Sequence, residues 1–135
     1  MRRRLGALLL PVLAVAGCAS APATRCGPGQ QAMRSERLYF GTAMPHATVS
    51  TEDWRGFVDV VVTPRFPNGL TAWPASGQWR SADGTLVREA SWVLEIVHAR
   101  DTASDAAMVE IVAAYKSRFQ QESVLRVSSD ACVVF

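Results

Sequence analysis

The sequence predicts an α+β domain on the ferredoxin-like βαββαβ plan, a four-stranded antiparallel sheet with two helices on one face. Three observations predict it. The elements read strand, helix, strand, strand, helix, strand; the second strand is interrupted by proline as an edge strand is; and one cysteine lies at each end of the domain. In this topology the last strand lies antiparallel beside the first, so the two cysteines approach each other.

Each element has a local cause. Arg37-Leu38-Tyr39-Phe40-Gly41 is a short β-rich run with Leu38 and Phe40 on one face and Tyr39 on the other. Ser50-Thr51-Glu52-Asp53 starts a helix, with Ser50 as cap, Asp53 answering three residues on, and acids at the positive end of the dipole. Trp54, Phe57, Val58 and Val61 form its apolar stripe, and Pro64 closes it by disfavouring helical geometry at Thr63. After the turn residues Phe66-Pro67-Asn68-Gly69, Leu70 to Arg80 reads as a strand in which Pro74 and Gly77 suggest an edge with a bulge.

Ser81-Ala82-Asp83-Gly84 makes a hairpin turn into a strand that runs through Val87 and Ala90 to Val97. Trp92, Leu94 and Ile96 alternate there with Val93, Glu95 and Val97; both faces are largely apolar, which places the strand centrally. A second helix begins near Thr102 or Ser104, turns Ala107, Ile111, Ala114 and Tyr115 inward, and is flanked by Met108 and Phe119. Lys116 and Arg118 suit its last turn. Val124-Leu125-Arg126-Val127 and Cys132-Val133-Val134-Phe135 read either as one bent strand or as two short ones.

The chain has 135 residues, 49% of them hydrophobic, enough for one domain with a core. Its formal charge of +2 is dominated by Arg2, Arg3 and Arg4. Without those three, 11 basic residues face 12 acidic ones, a charge of −1, and the cations are scattered singly. Nothing in that pattern traces a phosphate backbone, so no nucleic-acid partner is expected.

The three arginines precede an apolar run, Leu5 to Ala16, shorter than the roughly 20 residues of a permanent transmembrane helix. Val15-Ala16-Gly17-Cys18 then matches the bacterial lipobox: an aliphatic residue, two small residues and a cysteine. Residues 1–17 therefore read as a lipoprotein signal peptide, Cys18 as the lipidated first residue of the mature chain, and 18–33 as a flexible tether to a domain over 34–135. The rival is an ordinary signal-peptidase cut after Ala16. Two or three acyl chains anchor stably to a membrane where one does not. Ala19 and Ser20 carry no aspartate retention signal. The expected address is the cell envelope, facing the periplasm from the outer membrane if the host is Gram-negative.

Removing Cys18 from the count leaves Cys26 and Cys132, which in an oxidising compartment are expected to pair. Neither His46 nor His98 has metal-ligand spacing to a cysteine, so no metal site is expected, and no cofactor motif is present.

The series Arg37-Leu38-Tyr39-Phe40-Gly41, Thr63-Pro64-Arg65-Phe66-Pro67-Asn68-Gly69-Leu70-Thr71, Gly77-Gln78-Trp79-Arg80, Gln121-Glu122-Ser123-Val124 and Cys132-Val133-Val134-Phe135 resembles a bacterial family, the domain of unknown function 3574, over roughly residues 34–135. The resemblance implies a small envelope lipoprotein and carries over no activity.

Two function classes remain. The favoured one is a binding or structural module, with the open sheet face available to a second copy or an envelope partner. The alternative is a small cofactor-independent enzyme using that face, an analogy from fold alone. Glu95 is the best candidate acid if it projects near Tyr39, although an exposed polar role is more ordinary. Arg65 could clamp an anion, against an ordinary role of pinning its loop. Trp79 and Arg80, with Trp73, could form a recognition patch. Neither histidine has an acid partner evident in the sequence. A pocket joining Tyr39, Glu95 and an arginine would favour the enzyme; a flat apolar face would favour a partner.

Overall fold

The computed structural model describes residues 26–135, so Cys18, the signal peptide and most of the tether lie outside the described residues. The elements are β1 (Gln31–Gly41), α1 (Thr51–Phe57) continued by one π-helical turn (Val58–Val62), β2 (Thr71–Arg80), β3 (Leu86–His98), α2 (Thr102–Phe119) and β4 (Leu125–Val133). The strands form one antiparallel sheet in the order β2-β3-β1-β4. This is the predicted ferredoxin-like arrangement, with β3 and β1 central and β2 and β4 at the edges.

Alternation along the central strands makes the core. Leu38 and Phe40 on β1, and Leu94 and Ile96 on β3, turn toward the helices and are fully or almost fully buried. Trp54, Phe57 and Val62 from the first helix, and Met108, Ile111, Tyr115 and Phe119 from α2, close over them. Each such side chain contributes about 1.5–3 kcal/mol by leaving water. Phe40 is the hub of the rings, 4.6 Å from Tyr115 and 5.1 Å from Trp54, and Trp54 stacks on Trp92 at 5.4 Å. The one hydroxyl in this cluster is satisfied: Tyr115 Oη donates to the Gly41 carbonyl at 2.8 Å. Burial, with the Glu89 charge nearby, pushes that hydroxyl's pKa well up.

The capping box is present. Ser50 Oγ accepts from Asp53 N at 3.0 Å, and the Asp53 carboxylate accepts from Ser50 N at 3.1 Å. The stripe differs from expectation at its end, where Val62 is fully buried and Val58 and Val61 only partly. The cause is the wide turn. Thr63 N donates to Val58 O at 2.8 Å, an i to i−5 bond, and that wider spacing turns Val62 into the core in place of Val61. On α2 the same holds for depth: Met108 and Phe119, expected as flanks, are buried, whereas Ala107 and Ala114 are partly covered.

Three strand details also differ. β4 is a single strand through Ser128-Ser129-Asp130, which resolves the open choice at the end of the chain. Because it is long, β1 finds partners from Gln31 onward, opposite Val133, so the sheet begins before residue 34 and well before Arg37. The bulge expected in β2 is absent: pairing with β3 runs unbroken from Thr71 opposite Glu95 to Arg80 opposite Leu86. Its edge position suffices, because an outermost strand tolerates a residue without an N–H, and Pro74 sits opposite Trp92. The hairpin turn forms at Ser81–Gly84, with Ser81 N on Thr85 O at 2.9 Å and Gly84 at φ +87°.

Cys26 and Cys132 are joined by a disulfide across 106 residues, tying the segment before β1 to the end of β4. No helix among the described residues is long and apolar enough to cross a membrane, and no cluster of three or more His, Cys, Asp or Glu residues there could hold a metal.

Candidate functional site: a recess on the open sheet face

The face away from the helices is built in rows set by the register. One row crosses all four strands as Leu125, Tyr39, Val93 and Trp73. Tyr39 and Trp73 flank Val93 and leave it only 2% exposed. The row on one side is Val127, Arg37, Glu95 and Thr71. The row on the other is Gly41, Ser91 and Ala75, followed by Glu89 opposite Gly77.

That run of small residues is a depression in the sheet surface. Gly41, Ser91, Ala75 and Gly77 have little or no side chain, while Tyr39, Trp79 and Leu125 stand up around them, so a recess of about 300 Å³ results. Its rim includes Gln121. α2 ends at Gln120 in the left-handed conformation, φ 51°, and the turn brings Gln121 Nε2 to donate to Ala43 O at 2.6 Å.

Among the described residues that line the recess, Glu89 provides the only carboxylate. Its Oε1 accepts from Trp79 Nε1 at 2.8 Å and its Oε2 from Ala43 N at 2.6 Å. The carboxylate thus lies across the floor above Gly41. A Cβ at that glycine would fall 2.5 Å from Glu89 Oε1, so glycine is what makes room for it.

The structure divides the residues singled out from the sequence. Tyr39 and Trp79 line the recess. Glu95 does project from the open face, but its Oε1 is paired with Arg37 at 3.0 Å and accepts from Ser35 Oγ at 3.3 Å. It and Arg65 border a different, broader groove of about 840 Å³ at the opposite end of the sheet, with Phe66, Leu70 and His98. Arg65 pins its own loop, donating to Val61 O at 2.7 Å and pairing with Glu110 at 3.0 Å. Arg80 donates to Gly84 O at 2.8 Å and braces the hairpin. Tyr39 and Glu95 therefore line separate cavities, with Arg37 standing between them and paired to Glu95; the carboxylate that shares the recess with Tyr39 is Glu89.

Two features escaped the sequence reading. Glu89 is one; it lies in phase with Ser91, Val93 and Glu95, and that alternation places it on the open face. The other is a buried ionic cluster centred on Glu36, which lies in phase with Leu38 and Phe40 and so faces the core. Its oxygens accept from Arg126 Nε at 2.9 Å, Arg126 Nη2 at 2.6 Å and Ser128 Oγ at 2.6 Å. Arg126 reaches on to Asp105 of α2 at 3.3 Å. His98 Nε2 lies 3.8 Å from Glu36 Oε1, so this histidine does have an acid neighbour, brought by strand pairing rather than by sequence proximity. Burial works against ionisation of Glu36. The bonds from Arg126 and Ser128 and the neighbouring charges outweigh it and hold the carboxyl below the usual range.

Fold and site together define a small α+β protein with a ferredoxin-like sheet whose uncovered face carries a preformed recess. Residues 35–135 match the model of the family described as protein of unknown function DUF3574, and the chain belongs to that family. No curated protein shows a significant match. Among solved structures the chain is similar to a phage SAM lyase in complex with S-methyl-5'-thioadenosine, with TM-score 0.60 and 16% identity over 85% of this chain and 97% of that one. It is likewise similar to a phage SAM lyase in the apo state, with TM-score 0.51 and 18% identity over the same shares of the two chains. The likeness is one of fold.

Proposed function

We propose that this protein is a lipid-anchored module of the cell envelope that binds a small ligand in the open-face recess. The observation that carries the reading is the recess itself. Two aromatic rings and Leu125 stand over a floor of small residues, and Glu89 is fixed there by two neutral donors before any ligand arrives. The Cys26–Cys132 bond supports an oxidising compartment, and the lipobox ending at Cys18 supports the anchor. Beside the recess, Leu125 and Val127 are 61% and 47% exposed, an apolar margin that supports an envelope partner or a second copy on the same face.

The anchor is tested by producing full-length protein and Cys18→Ser in a Gram-negative host, fractionating the membranes and weighing the amino-terminal peptide. The expected result is a diacylglyceryl-modified Cys18 in the outer-membrane fraction, with lipid and processing both lost in the variant. A Cys18→Ser protein that is still processed and still fully membrane-bound overturns the anchor.

An enzymatic reading is favoured by one observation, the likeness of fold to a phage SAM lyase. Incubating the full-length protein with SAM and following S-methyl-5'-thioadenosine by chromatography separates the two. The binding module releases none above a heat-denatured control.

A further inference from the structure

The charge in the recess has no counter-ion among the described residues. The ion pairs there join Glu36, Glu95, Asp105, Glu110 and Asp130 to arginines or to His98, and none of them includes Glu89. Both of its hydrogen-bond donors, Trp79 Nε1 and Ala43 N, are neutral groups, so they fix the position of the carboxylate and leave its charge in place. That charge sits at the N–H edge of the Trp79 ring, in a recess that Tyr39 also lines, and the faces of both rings are electronegative.

A fixed anion in a recess walled by aromatic side chains selects a cation, which can meet the carboxylate and a ring face together. The chemistry narrows which one. A hard metal ion requires six or more oxygen ligands, and this recess offers a single carboxylate whose two oxygens each already accept a hydrogen bond. A primary ammonium brings three N–H donors that must all be satisfied as it leaves water, and the single carboxylate, with one lone pair of each oxygen already engaged, cannot take all three. A quaternary ammonium has no N–H, is weakly hydrated, and gains from methyl contact with rings and from charge at a distance. A recess of about 300 Å³ is of a size for a group such as a trimethylammonium head. Resting on the reading of the recess as a binding site, the geometry points to a small N-methylated ammonium compound as its ligand, with Glu89 as counter-ion and Trp79 and Tyr39 as walls.

The test is a calorimetric titration of detergent-solubilised full-length protein with choline, with tetramethylammonium, and with 3,3-dimethyl-1-butanol, the uncharged carbon isostere of choline. Both cations are expected to bind saturably, at least about tenfold more tightly than the isostere. Glu89→Gln removes the charge and is expected to bring choline to the level of the isostere. Gly41→Ala, whose new Cβ would meet Glu89 Oε1 at 2.5 Å, displaces the carboxylate without removing it and is expected to weaken choline as well.

The wild-type comparison decides the matter even where a variant does not fold. Equal binding of choline and isostere leaves a binding recess and overturns the cation; binding of neither overturns this ligand class. Membrane fractionation of wild type and Cys18→Ser reads the anchor separately, so a wild-type protein that carries no lipid and still prefers choline overturns only the anchor.

Discussion

Arg126 grips Glu36 with two nitrogens, at 2.9 and 2.6 Å, across the pairing of β4 with β1 and beneath α2. The carboxylate is wholly buried, so its charge depends on this partner. Arg126→Leu is expected to destabilise the protein by about 3 kcal/mol, because it strands a buried anion. The double variant Glu36→Leu/Arg126→Leu should recover most of that loss. Urea denaturation with the disulfide intact checks both; a single variant as stable as the wild type would contradict the prediction.

The same cluster sets an acid limit. The folded Glu36 pKa lies below its unfolded value, about 4.5, so the folded state binds fewer protons there. Its contribution is fully present above about pH 4.5 and is lost as pH falls through the lower folded value. Thermal melts from pH 6 to pH 2 should therefore show a steep acid decline, and Glu36→Gln should show a shallower one. Parallel curves for the two proteins would place the acid sensitivity elsewhere.

Breaking the disulfide acts on the unfolded chain. A loop closed across 106 residues predicts a loss of about 4 kcal/mol for Cys26→Ser or Cys132→Ser, since the freed unfolded state gains entropy. Alkylation of the denatured, unreduced wild type should find neither Cys26 nor Cys132 free.

Arg65 distinguishes pinning from binding. Its bonds go to Val61 O and Glu110, away from the recess. Arg65→Ala is expected to cost about 1 kcal/mol of stability and to leave the choline titration unchanged. Altered choline affinity with unaltered stability would reverse that assignment.

Much of this architecture was legible because it rests on local patterns. The Ser50–Asp53 box, the Trp92-Leu94-Ile96 alternation and the Ser81–Gly84 turn each encode their element within a few residues, and Pro74 places β2 at an edge. Pairing Cys26 with Cys132 followed from the count left once Cys18 is set aside, and the strand order agreed with it. What stayed hidden depends on contacts distant in sequence. Glu36 meets Arg126 across 90 residues, Glu89 meets Ala43 across 46, and Tyr115 meets Gly41 across 74. The recess was harder still to see, because its shape comes from small residues on three different strands lining up. Glu95 was the more conspicuous acid in the sequence, but register gives it Arg37 as a partner and gives Glu89 the aromatic walls.

The clasp between Cys26 and Cys132 also fixes the end of the sheet from which the amino-terminal chain departs. It gathers the start of β1 and the end of β4 at one pole of the sheet, and the chain from Cys18 to Cys26 can extend at most about 28 Å. A lipid on Cys18 would therefore keep that pole within about 28 Å of the bilayer, while β1 carries Gly41 roughly 33 Å away from the pole. The recess would then open at the distal pole, held out into the aqueous space as a receptor on a short stalk is, and sampling solutes there rather than lipid headgroups.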